Sequence, residues 1–200
     1  MLVLASCGKV DPNTQIDEGT ISGNYYTSDE IGWTMQIPDG WEILTRKQVD
    51  YYENKGTQLI EDTIGEELPI KGLKNLLDFR KDQFNVFQST SQPFELEYEG
   101  EWEESNEALK EVLQQTYSGQ GIDAKSTETR REEIDGVVFE VFDFILLAPN
   151  GDVVVRQTMY SCLRNGFDFG VNLTYNSDEA RDVMLKAWRG SKFKGSDANL

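Results

Sequence analysis

Three turn signals punctuate the second half of the chain: Asp135-Gly136, Pro149-Asn150-Gly151-Asp152 and Arg164-Asn165-Gly166. Asp-Gly and Asn-Gly are the pairs that tight hairpins favour, because these residues enter positive φ at low cost. The stretches they separate, residues 123–133, 137–147, 153–163 and 167–175, are rich in Val, Phe, Tyr and Thr. They read as four strands joined in an antiparallel meander, and that meander sets the fold.

Upstream elements fit around such a sheet. In "IGWTMQIPDGW" (31–41), Trp33, Met35 and Ile37 alternate with Thr34 and Gln36, the period of a half-buried strand, and Pro38-Asp39-Gly40 makes a turn. Residues 46–60 read as a helix with Val49, Tyr52, Leu59 and Ile60 near one face, weakened at Gly56. Residues 73–94 carry strand-like alternation at Phe84 and Val86. Residues 103–117 predict a second helix, with Leu109, Val112, Leu113 and Thr116 as its apolar stripe and Ser105 or Asn106 as its cap. A third helix covers 177–189, capped by Ser177, with Asp178 and Glu179 in its first turn and Val183, Met184, Ala187 and Trp188 on its inner face. The expected fold is α+β: a three-layer α/β/α sandwich around a mainly antiparallel sheet.

The N-terminus bears on place. Leu4-Ala5-Ser6-Cys7 is an aliphatic residue, two small residues and a cysteine, and it resembles the lipobox of bacterial lipoproteins. That resemblance implies lipidation of Cys7, with residues 1–7 the remnant of a signal peptide. Only Met1 to Leu4 precede the small residues, without Lys or Arg, so a full signal peptide would need a start further upstream. Residues 8–24, polar and aperiodic, read as a flexible tether, residues 25–194 as one domain, and 195–200 as a disordered tail.

"GWTMQIPDGW", the meander and the terminal "MLKAWRGSKF" together resemble the Mog1/PsbP-like superfamily, and within it a group of bacterial lipoproteins with an α/β/α sandwich. The likeness spans about residues 26–193. The superfamily includes a photosystem accessory protein and a nuclear-transport cofactor, which mainly bind other proteins. It therefore implies an accessory, non-catalytic domain. No cofactor motif accompanies it.

Charge and composition narrow the chemistry. A net charge of −17 disfavours nucleic acid, leaving solubility or a basic partner as its use. With no histidine, Ser-His and Cys-His nucleophile pairs and His-ligated zinc are excluded, and two cysteines make no Cys-rich zinc site. Cys162, with Arg164 as its one cationic neighbour, reads as a buried structural thiol.

"FELEYEGEWEE" (94–104) places Glu95, Glu97, Glu99, Glu101 and Glu103 at period two. If extended, all five point one way. Such a row is a solvated face, a surface for a basic protein, or part of a calcium site. The calcium reading needs a second segment, since i and i+2 side chains on a strand lie roughly 6.6 Å apart. Trp102, between Glu101 and Glu103, is expected at the surface as a contact residue, whereas Trp33 and Trp188 are expected in the core. The chain thus reads as a lipid-anchored, extracytoplasmic protein of the bacterial cell envelope, periplasmic or surface-facing, that meets the membrane through its anchor and binds a protein. The alternatives are a divalent-cation-binding accessory protein and a hydrolase using a Glu/Asp pair.

Overall fold

The computed structural model describes residues 11–67 and 71–195. The lipobox, Cys7 and residues 196–200 of the expected tail lie outside the described residues.

A 3-10 turn (Pro12–Gln15) leads into β1 (Thr20–Ser22), β2 (Tyr25–Ser28), β3 (Trp33–Gln36), β4 (Glu42–Ile43) and α1 (Arg46–Ile64). β5 (Lys74–Asn75), β6 (Phe79–Arg80), β7 (Val86–Pro93) and α2 (Glu101–Gly119) follow. Then come β8 (Asp123–Ser126), β9 (Arg130–Ile134), β10 (Val137–Leu147), β11 (Val153–Arg164), β12 (Phe167–Tyr175), α3 (Asp178–Arg189) and β13 (Lys192–Phe193). The large sheet runs β4-β6-β7-β12-β11-β10-β8, with β5 on β7 and β9 on β10, while β1-β2-β3-β13 form a small sheet.

The meander stands as read. Asp135 (φ 49°) with Gly136 (φ 81°), and Asn165 (φ 52°) with Gly166 (φ 80°), supply the paired positive-φ residues of tight hairpins. The first of its four segments, however, is two strands. β8 pairs with residues 144–147 of β10 and β9 with residues 137–141, because the eleven-residue β10 is long enough to take both along one edge.

Alternation gives the large sheet two unlike faces. Phe139, Val141, Tyr160, Phe169, Val171 and Leu173 point to the main core, where the small sheet and α3 cover them. Trp33 lies at its centre, with ring centroids 5.1 Å from Tyr26, 5.2 Å from Phe169 and 5.8 Å from Trp188. Its Nε1 donates to Ser191 Oγ at 2.9 Å, which ties the small sheet to the end of α3. Ser177 accepts from the Ala180 amide as the cap of α3, and Ala180, Met184 and Trp188 are that helix's buried face. On the opposite face α2 covers Ala124, Phe142 and Phe144 through Leu113 and Tyr117. α1 lies beside α2, with Val49 its buried residue against Leu44 and Val86. The α+β sandwich therefore holds, with a small sheet sharing the α3 layer.

Two expectations are corrected. Residues 11–24 are docked, whereas the sequence suggested a tether. Ile21 is buried in the core, the Asp17 amide donates to Asn75 O at 2.9 Å, and Asp17 pairs with Arg46 at 2.8 Å. One apolar residue paired into a strand, plus side-chain bonds at Asn13 and Asp17, suffices where no periodic pattern exists. The acidic stretch is likewise not one extended row. β7 ends at Pro93, residues 94–100 form a loop, and α2 starts at Glu101 after Gly100 (φ 91°), earlier than the expected start at 103 and without a Ser105 or Asn106 cap.

Candidate binding groove

Beside α2, part of the sheet face stays uncovered and forms a recess of about 340 Å³. Its floor comes from β7, β11 and β12. In register across the strands, Asp168 lies opposite Gln92, Gly170 opposite Thr90 and Ser161, and Asn172 opposite Gln88 and Met159. Leu73, Leu109, Phe142 and Met159 supply its apolar wall.

α2 fixes the polar end. Trp102 Nε1 donates to Asp168 Oδ1 at 2.9 Å. One helical turn on, Asn106 accepts from Ser161 Oγ at 2.9 Å and donates to Glu140 Oε2 at 3.1 Å. These bonds explain why an indole expected at the surface and an amide expected as a cap are buried on α2; Leu109, assigned to the apolar stripe, is 40% exposed beside the groove. Burial raises the Asp168 carboxyl above the usual carboxylate range, and the Trp102 bond opposes that shift. The Asn172 side-chain oxygen is buried and has no hydrogen-bond partner among the described residues.

The acidic stretch frames this end of the groove from outside. Glu95, Glu97 and Glu99 are exposed in the loop, Glu101 and Glu103 are in the first turn of α2, and Glu101 Oε2 accepts from the Glu97 amide at 2.6 Å. Trp102 is 6% exposed, so it is not a surface anchor as expected; its indole is spent inside on Asp168. Helical geometry is the reason: in a helix 101, 103 and 104 turn outward while 102 and 106 turn inward, which a period-two reading cannot foresee.

Among the described residues no group of three or more Cys, Asp and Glu is placed to hold a metal ion. Among the described residues, Asp168 is the one carboxylate lining the groove. Cys162 is buried in the main core, where desolvation pushes its thiol up to about 12 despite Arg164, as befits a structural thiol.

The groove residues Ser161, Asp168, Gly170 and Asn172 were not singled out by sequence. Their signal was the polar half of the β12 alternation, Asp168, Gly170, Asn172 and Thr174, which looks like a solvent face until α2 is laid against it.

Searches of protein-family models and of curated proteins return no match for this chain. Among solved structures it is similar to the solution structure of cyanobacterial PsbP (CyanoP) from Synechocystis sp. PCC 6803. The TM-score is 0.57 at 12% sequence identity, over 95% of this chain and 98% of that chain. The chain has a PsbP-like fold. At that identity the likeness carries architecture and not site residues.

Proposed function

We propose that this chain is a non-catalytic, accessory binding module of the bacterial cell envelope, held to a membrane by lipid on Cys7, which receives a basic protein partner at the groove beside α2. The observation that carries the reading is the groove itself: a recess with Asp168 on its floor and an apolar wall of Leu73, Leu109, Phe142 and Met159. The acidic residues Glu95, Glu97, Glu99, Glu101 and Glu103 around its Asp168 end suit the approach of a cationic surface, within a molecule of net charge −17. The PsbP-like fold is consistent with a binding role, and Leu4-Ala5-Ser6-Cys7 supports the anchor.

The test is site-specific photo-crosslinking in cells expressing the gene from its natural start. A photoreactive residue at Leu109, on the groove wall, is expected to give a discrete crosslinked species. The same residue at Tyr51, which is 59% exposed on α1, is expected not to give it. Identical patterns from both positions would remove the groove as the binding site. For the anchor, fatty-acid label is expected in wild type and absent in Cys7→Ala; equal label in both would contradict lipidation.

A further inference from the structure

We propose that residues 95–107 form a gate at the Asp168 end of the groove, latched by Trp102 on Asp168 and by Asn106 on Ser161 and Glu140, which opens when the first two turns of α2 unwind. What the gate controls rests on the reading of the groove as the binding site; that the segment opens rests on how it is bonded.

α2 is held to the sheet in two different ways along its length. Its C-terminal half docks through apolar contact, with Leu113 and Tyr117 packed on Ala124, Phe142 and Phe144. Its N-terminal half docks through polar bonds. Trp102 Nε1 donates to Asp168 Oδ1 at 2.9 Å, Asn106 bonds Ser161 at 2.9 Å and Glu140 at 3.1 Å, and Glu107 accepts from Thr129 Oγ1 at 3.0 Å. Trp102 is the one apolar side chain that this half buries. Lys110, 5.6 Å from the Phe142 ring, marks where the polar seam gives way to the apolar one. α3 differs: Ala180, Met184 and Trp188 make its seam apolar from first turn to last. Opening a polar seam trades each bond for one to water, so it costs less than uncovering an apolar seam of the same length.

The loop that feeds the helix is bonded to itself. Glu101 Oε2 accepts from the Glu97 amide at 2.6 Å, Tyr98 OH donates to Glu104 at 2.9 Å, and the Glu101 amide donates to Tyr98 O at 3.4 Å. Leu96 and Tyr98 are exposed. Among the described residues, Phe94, whose amide donates to Gly166 O at 2.9 Å, is the last residue hydrogen-bonded to the sheet before Trp102. Gly100, at φ 91°, opens α2 without a side-chain cap, so its first turn lacks a bond that Ser177 gives α3. Residues 95–104 carry six glutamates and no Lys or Arg, and these charges repel one another. Glu101, Glu103 and Glu104 support the first turn through the helix dipole, and a cationic surface that engages them withdraws that support. With the latch released, the groove lengthens past Asp168, whose carboxylate loses its indole donor and is free to accept from a partner.

The experiment is amide hydrogen exchange of the full chain, read residue by residue by NMR. Residues 105–109 of α2 and 182–186 of α3 lie equally far from the starts of their helices, so ordinary end fraying treats them alike. After correction for intrinsic rates, 105–109 are expected to exchange about tenfold faster, or more, than 182–186 and than 114–118. Trp102→Phe, which keeps a ring and removes the donor, and Asn106→Ala are each expected to speed 105–109 by about a further tenfold and to leave the other two segments unchanged. Equal rates in the three segments, or variants that speed all three together, overturn the gate. Its control of the groove is read by the Leu109 photo-crosslink in cells, whose yield is expected to rise several-fold in Trp102→Phe. Unchanged yield alongside faster exchange overturns that control. No crosslink from either chain removes the groove partner and with it the role of the gate, while the exchange rates still decide whether the segment opens.

Discussion

Two carboxyls, Asp168 half-buried and Asp78 buried, show how differently one residue type is handled in this chain. Asp168 keeps a donor from Trp102 and faces a recess. Asp78, 4% exposed, accepts from the Ser89 amide at 3.0 Å through Oδ1, while its Oδ2 has no partner among the described residues. Desolvation pushes the Asp78 carboxyl up to about 7; the Ser89 amide and Arg46 oppose this, and Asp17 and Glu53 add to it. Its folded pKa thus lies above the ordinary 3.8, so the native state holds a proton that the unfolded chain has released. Stability from this group is complete below about 4 and is lost as pH rises towards 7. Asp78→Asn is therefore expected to stabilise the protein on the order of 1–4 kcal/mol at pH 8 and much less at pH 5, read by urea unfolding at both values. An equal gain at both would contradict the account.

At the scale of elements, legibility followed the source of each signal. The hairpins at Asp135-Gly136 and Asn165-Gly166 were legible because backbone chemistry at two residues fixes them. α3 was legible because its cap, charges and apolar face agree. β1, with Ile21 as its one buried residue, and the early start of α2 were not, because tertiary contacts decide both. The groove was illegible for the same reason: Asp168, Gly170 and Asn172 form a floor only once β7, β11 and β12 are in register. β3 was read correctly, and its Trp33 joins the small sheet to α3 and the large sheet. Trp33→Ala is expected to cost about 3–5 kcal/mol in urea unfolding. Trp33→Phe is expected to cost less, chiefly through the Ser191 hydroxyl that it leaves unpaired. A loss under about 1 kcal/mol for the alanine variant would place the main core elsewhere.

For the whole molecule, the two faces of the large sheet divide the labour. One is closed by the small sheet and α3 over an aromatic core, which holds the fold. The other is only partly closed by α2, which leaves a recess with polar groups on its floor and an apolar wall beside the most acidic surface segment. The central claim is that this recess is where a partner binds. The most direct measurement is the yield of the Leu109 photo-crosslink in cells with and without Gly170→Val in the same chain. Gly170→Val puts a branched side chain into the centre of the floor while leaving the outer acidic residues untouched. The account predicts a discrete crosslinked species that falls at least tenfold in the folded Gly170→Val protein. A crosslink of unchanged yield, with the recess filled and the fold intact, would contradict it.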